Sequence, residues 1–140
     1  KFEAGTVNVG GAVGLAAAIH YVEKLGFSFI EEREKELSVY LMEGMREIPH
    51  VHILGSEKGE NHHGIMTFTI DGVHPHDIAE IMDSHKVCIR AGHHCAQPLM
   101  KFLGTPSTSR VSLGLYNTKE DVDAFLAALK TIRGAMGYGE

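Results

Sequence analysis

The chain reads as an α/β domain of the two-layer α+β kind, with helices packed on a small, mostly antiparallel sheet. Three observations predict this class. Stretches that alternate apolar and polar residues, such as Met66-Thr67-Phe68-Thr69-Ile70, interleave with stretches of helical periodicity, such as Val122, Phe125, Leu126, Leu129 and Ile132. The connections between them are short and rich in turn residues, as at Asp71-Gly72. The length, 140 residues, suits one domain that buries its own core.

Taken in order, Val9 to Leu25 is small and apolar. Ala12, Ala16 and Ile19 share a helical face there, and Gly26 provides a C-terminal stop. Ser28-Phe29-Ile30-Glu31 has capping-box spacing and predicts a second helix behind it. That helix is expected to bury Ile30, Leu37, Leu41, Met45 and Ile48 and to stop at Pro49. Its charged Glu31–Glu36 run reads as a solvated face, with a docking face for a protein partner as the alternative. Val51 to Leu54 predicts a short strand. Met66, Phe68 and Ile70 form the apolar side of the next one. Pro75 suits the first turn of a helix whose apolar face is Ile78, Ile81 and Met82. Val87 to Arg90 predicts another strand, with Cys88 as a packed strand cysteine. Thr108 to Leu113 predicts a further strand, with Val111 and Leu113 toward the core and Arg110 and Ser112 on the opposite face. Thr118-Lys119-Glu120-Asp121 has capping-box spacing for the last helix.

Composition narrows the function classes. The chain is 44% hydrophobic and 22% charged, as ordinary globular domains are. A formal net charge of −5, with no block of clustered Lys and Arg, argues against nucleic-acid binding. No apolar run approaches the ~18 residues of a membrane span. Cys88 and Cys95 lack zinc-finger or thioredoxin spacing, and a reducing, cytoplasmic setting is the expectation. The histidines His62-His63, His74-x-His76 and His93-His94 raise a metal site. Adjacent histidines point in different directions, however, and none has the i, i+4 helical spacing, so no metal is expected.

The chemistry concentrates in residues 90–100, RAGHHCAQPLM. Gly92 and Pro98 predict that Cys95 sits on a constrained loop. A thiol attacks as its thiolate, and free cysteine titrates near a pH of about 8.5, so nearby cationic groups favour the reactive form. Arg90, His93 and His94 are the neighbours in sequence. The segment therefore reads as a presented, reactive cysteine in electropositive surroundings.

Three separated stretches, FEAGTVN at 2–8, RAGHHCAQPLM at 90–100 and SRVSLGLYNT at 109–118, occur in the order found in one family. The chain resembles the C-terminal portion of group II (SufS-like) cysteine desulfurases, grouped with selenocysteine lyases within the fold-type I pyridoxal 5'-phosphate (PLP) enzymes. The resemblance implies that the parent enzyme removes sulfur from L-cysteine, giving alanine and a persulfide on Cys95. It implies that Arg110 grips the substrate carboxylate, that Gly5 and Thr6 contact the cofactor phosphate of a neighbouring subunit in a homodimer, and that Arg90, His93 and His94 tune the loop. Thr6 has a second reading as a helix cap, and Arg90 as a brace for the loop. Sulfur-acceptor proteins, as in iron–sulfur cluster assembly, are the implied partners.

One departure from the family pattern is Val7, where proline is usual. A larger one is that no lysine here has the context of the PLP-binding lysine. The expectation is a single C-terminal domain of a larger enzyme, inactive alone, with residues 1–26 as a helical segment packing on the large domain. The alternatives are a selenocysteine lyase, a zinc-binding domain and a PLP-independent persulfide carrier.

Overall fold

The computed structural model describes residue 2 and residues 4–138. The described residues include five α-helices, α1 (Val9–Leu25), α2 (Phe27–Arg46), α3 (Pro75–Ser84), α4 (Gln97–Leu103) and α5 (Lys119–Ala135), and four strands, β1 (Val51–Leu54), β2 (Ile65–Ile70), β3 (Arg90–Gly92) and β4 (Thr108–Ser112). The chain divides into two compact units, Lys1–Glu32 and Arg33–Glu140, with the boundary inside α2.

In the first unit, Asn8 caps α1 by accepting a hydrogen bond from the Gly11 N–H at 2.8 Å. Thr6, two residues earlier, is therefore not the cap. Gly26 ends the helix at φ +83°, a conformation that glycine adopts at little cost, and its N–H still reaches the Val22 carbonyl at 3.0 Å. α2 begins at the next residue. Ser28 to Glu31 consequently lie inside the helix and do not cap it, because Gly26 makes the turn that a capping box would otherwise mark. Every residue of α1 is at least partly exposed.

The second unit contains the sheet, in the order β1-β2-β4-β3 and antiparallel at each pairing. Side chains alternate across it. Met66, Phe68 and Ile70 of β2 and Val111 of β4 are buried on one face. Leu37, Leu41 and Met45 of α2, Ile78 and Met82 of α3, and Val122, Phe125, Leu129 and Ile132 of α5 complete the core with them. Burying each such side chain contributes about 1.5–3 kcal/mol. Phe68 meets Phe125 edge to face, with centroids 6.0 Å apart and the rings at 86°. Gly44 lets α2 approach α5, since a Cβ there would run into Leu126. At the start of α5 the expected capping box is formed: Thr118 Oγ1 accepts from the Asp121 N–H, and Asp121 Oδ2 accepts from the Thr118 N–H.

Two expectations shift, the bounds of the third strand and the packing of Cys88. The third strand is Arg90–Gly92, not Val87–Arg90. Lys86 turns the chain at φ +62° and the Val87 N–H bonds back to Met82, so residues 87–89 are spent leaving α3. Cys88 is accordingly exposed and not packed in a strand. The apolar stretch after the Cys95 loop forms α4, whose Leu99 and Phe102 are exposed while Met100 is buried. His62, weighed above as a metal ligand, is half-buried, with Nε2 2.8 Å from the Ser56 carbonyl. No single α-helix among the described residues is long and apolar enough to cross a membrane.

Candidate active site

The sheet face opposite the core positions the candidate residues. In β4, Ser109 and Val111 pair with Phe68 and Met66 of the core face, so Thr108 and Arg110 point the other way. The register sets Gly92 opposite Thr108 and Arg90 opposite Arg110. The chain leaves β3 at Gly92, where φ is +120°, passes through the loop His93–Ala96, and enters α4 with Pro98 in its first turn.

His94 and Cys95 both take left-handed backbone conformations, φ +54° and +57°. Non-glycine residues rarely do so, and two in succession need restraints, which here come from within the loop and from β4. Three contacts supply them. The Ala96 N–H donates to the His93 carbonyl at 2.8 Å. The Cys95 N–H donates to His93 Nδ1 at 3.1 Å. His94 Nε2 lies 2.8 Å from Thr108 Oγ1, and that hydroxyl also points at Met100 Sδ, 3.9 Å away. Thr108 itself is completely buried beneath α4.

The turn presents an exposed Cys95 thiol. Arg90 reaches across from β3 and its Nη2 donates to Cys95 Sγ at 3.5 Å. Arg110, half-buried, has its Nε buried without a hydrogen-bond partner. The ion pairs found among the described residues involve neither arginine. Two guanidinium groups in directly opposed register, without a carboxylate between them, make a local excess of positive charge that suits an anionic ligand. A cavity of about 390 Å³ opens beside Arg110, lined also by Thr67, His94, Leu99, Met100 and Leu103 among others. Burial first, then the charges of Arg110 and Arg90, hold His94 below the ordinary histidine range, so its imidazole is neutral near pH 7.

Of the residues singled out from sequence, Arg90, His93, His94, Cys95 and Arg110 thus converge on one sheet face. Gly5, at φ +80°, and Thr6, exposed, belong to the other unit, ahead of α1. Sequence reasoning missed Thr108, Met100 and Thr67. Their signals are positional: Thr108 stands two residues from Arg110 in a strand and shares its face, Thr67 alternates with Met66 and Phe68, and Met100 closes the RAGHHCAQPLM segment. Among the described residues no group of three or more His, Cys, Asp or Glu side chains is arranged to hold a metal ion.

Residues 1–125 match the aminotransferase class-V family. The chain is 51% identical over 138 residues to a probable cysteine desulfurase of Staphylococcus epidermidis, covering 99% of this chain and 33% of that protein. Its fold superposes on the apo cysteine desulfurase of Thermococcus onnurineus NA1 with a TM-score of 0.88 and 44% identity, covering 95% of this chain and 33% of that one. It also superposes on the cysteine desulfurase CsdA of Escherichia coli, solved with an S-sulfonic acid, with a TM-score of 0.86 and 31% identity, over 95% of this chain and 32% of that one. The chain therefore spans about a third of the length of these relatives. With the family model matching most of its length, the chain belongs to the aminotransferase class-V family.

Proposed function

We propose that this chain is the sulfur-accepting portion of a PLP-dependent cysteine desulfurase of the group II type. The observation that carries the reading is the contact of Arg90 with Cys95 Sγ on the sheet face that also presents Arg110. Arg110 takes the carboxylate of L-cysteine through its planar fork of donors. The Cys95 thiolate, beside the Arg90 guanidinium, then attacks the substrate sulfur. A sulfur–sulfur bond forms as the substrate's carbon–sulfur bond breaks. The released electron pair stays on the substrate's β-carbon, which takes up a proton to become the methyl group of alanine. The enzyme thiol becomes a persulfide, ready for transfer to a sulfur-acceptor protein.

PLP, when bound, supplies the electron sink for this cleavage. Thr6 fits a contact with its phosphate. Thr6 is exposed and is not the cap of α1, because Asn8 fills that role. The lysine and the ring-binding groups are assigned to the remainder of the parent enzyme, and Gly5 and Thr6 to the site of the second subunit of a homodimer. On this reading the 140-residue chain alone is inactive.

The test uses the full-length enzyme loaded with PLP and given L-cysteine. Mass spectrometry of the Cys95 peptide is expected to show one added sulfur, with alanine released in parallel and no addition on Cys88. Alanine without sulfur on Cys95 would overturn the assignment of the nucleophile, and the absence of both products would overturn the desulfurase reading.

A further inference from the structure

The left-handed turn at the nucleophile has an anchor on β4, at Thr108, that the reaction does not assign. His94 spans from the turn to β4 and meets the Thr108 hydroxyl at 2.8 Å. Thr108 is wholly buried and fixed by strand pairing opposite Gly92, the residue from which the loop departs. The entry to the loop and its second residue are thus both held on one strand. Gly92 is held by the backbone ladder and His94 by its side chain. On the far side Met100 of α4 closes over the same hydroxyl, and the Met100 N–H bonds the Ala96 carbonyl at 3.1 Å. A threonine hydroxyl has a single proton. When that proton points to Met100 Sδ, the oxygen accepts from His94 Nε2–H. His94 Nδ1 is then a bare ring nitrogen, which matches its buried position without a hydrogen-bond partner. Protonating it would place a second N–H in that unpartnered site, facing the cations Arg110 and Arg90, with His93 as the remaining titratable neighbour.

We propose that His94 is a positioning residue for the nucleophile. As a neutral imidazole anchored on Thr108, it holds the turn that keeps Cys95 beside Arg90. The proposal rests on Cys95 being the reactive thiol, which deepens the desulfurase reading, but its test does not need turnover.

Three variants of the full-length PLP-loaded enzyme are compared. Thr108→Val removes the hydroxyl at nearly constant shape. Thr108→Ser keeps the hydroxyl. His94→Asn keeps a residue that tolerates the left-handed backbone but is too short to reach Thr108. The first readout is the rate of Cys95 alkylation by iodoacetamide at a fixed neutral pH without substrate, followed on the Cys95 peptide. The second is kcat and KM for L-cysteine. Thr108→Val and His94→Asn are each expected to slow alkylation and lower kcat by about fivefold, the worth of one neutral hydrogen bond, with KM unchanged because Arg110 is not moved. Thr108→Ser is expected to restore both. The proposal is overturned if alkylation of both tether-breaking variants stays within about threefold of the parent rate, or if Thr108→Ser is as impaired as Thr108→Val. Should Thr108→Val not fold, His94→Asn alone decides by the same limits. A normal alkylation loss without any desulfurase activity would keep the tether and discard the desulfurase reading.

Discussion

Replacing Arg110 by methionine should weaken the enzyme and strengthen the fold. Methionine keeps an unbranched stem of similar length, so packing over the half-buried position changes little. What is lost is the guanidinium. For function, a carboxylate held by two charge-assisted hydrogen bonds gains about 1.5–3 kcal/mol from each, and water competes for part of this. A net loss near 3 kcal/mol lowers kcat/KM by roughly a hundredfold, at ~1.4 kcal/mol per decade. For stability the sign reverses. The buried Nε of Arg110 lacks a hydrogen-bond partner, and Arg90 stands directly opposite with the same charge. Relieving an unsatisfied buried group is worth about 1–3 kcal/mol, and removing a like-charge cross-strand pair about 0.2–1 kcal/mol. Taking about 1.5 kcal/mol as the net gain, the melting temperature of a chain of this size rises by roughly 3–6 °C. Thermal melts of the 140-residue chain and steady-state kinetics of the full-length enzyme measure the two effects. If Arg110→Met melts below the parent, or if kcat/KM falls less than about tenfold, Arg110 is a structural residue and the clamp assignment is wrong.

Phe68→Ala removes a fully buried ring that meets Phe125 edge to face. It is expected to cost about 3–5 kcal/mol, most of the stability of a marginal domain, and a urea midpoint within experimental scatter of the parent would contradict the core placement. Thr118→Ala breaks the capping box of α5 and is expected to cost about 1 kcal/mol, read as a lower urea midpoint at unchanged slope. The Asp121 carboxyl is held below the usual aspartate range by the Asn117 amide and the Thr118 N–H. Because the folded value is the lower one, its stabilisation is complete above the unfolded carboxylate range, near pH 4, and is lost as pH falls through the folded value. Asp121→Asn is therefore expected to flatten the acid limb of the melting curve, and an acid limb of unchanged slope would remove Asp121 from its causes.

Much of the fold was legible because its signals are local. Period-two alternation in Met66–Ile70 reports a half-buried strand directly, and the last helix carries both its cap and its apolar stripe in contiguous residues. The misplacements have a common origin. At Ser28–Glu31 the capping pattern is present, but Gly26 at φ +83° turns the chain one residue before the helix starts. At Val87–Arg90 the alternating pattern is equally sound, and Val87 and Ile89 do pack against the core. The backbone there closes α3 through Lys86 and Val87, so the pairing that defines a strand begins only at Arg90. Side-chain patterning reports which residues face the core. It does not report where hydrogen bonds to another strand begin, because that depends on residues far away in the chain.

The site divides along the same line. Arg90, Gly92 and Cys95 are close in sequence, and their grouping survives in space because a tight loop leaves no room for them to separate. Arg110 was placed by motif and by strand alternation, and only the register of β3 on β4 shows that it stands opposite Arg90. Thr108 had no motif at all. Its role follows from three facts that the sequence keeps apart: the pairing with Gly92, the reach of His94, and the burial beneath Met100. An exposed cysteine on a tight loop could be read from eleven contiguous residues, whereas part of what holds its backbone conformation is drawn from another strand and another helix. That separation has a physical reason. A left-handed turn of two non-glycine residues is costly, and its own bonds, from the Ala96 N–H and the Cys95 N–H to His93, are joined by a non-local one from His94 to Thr108.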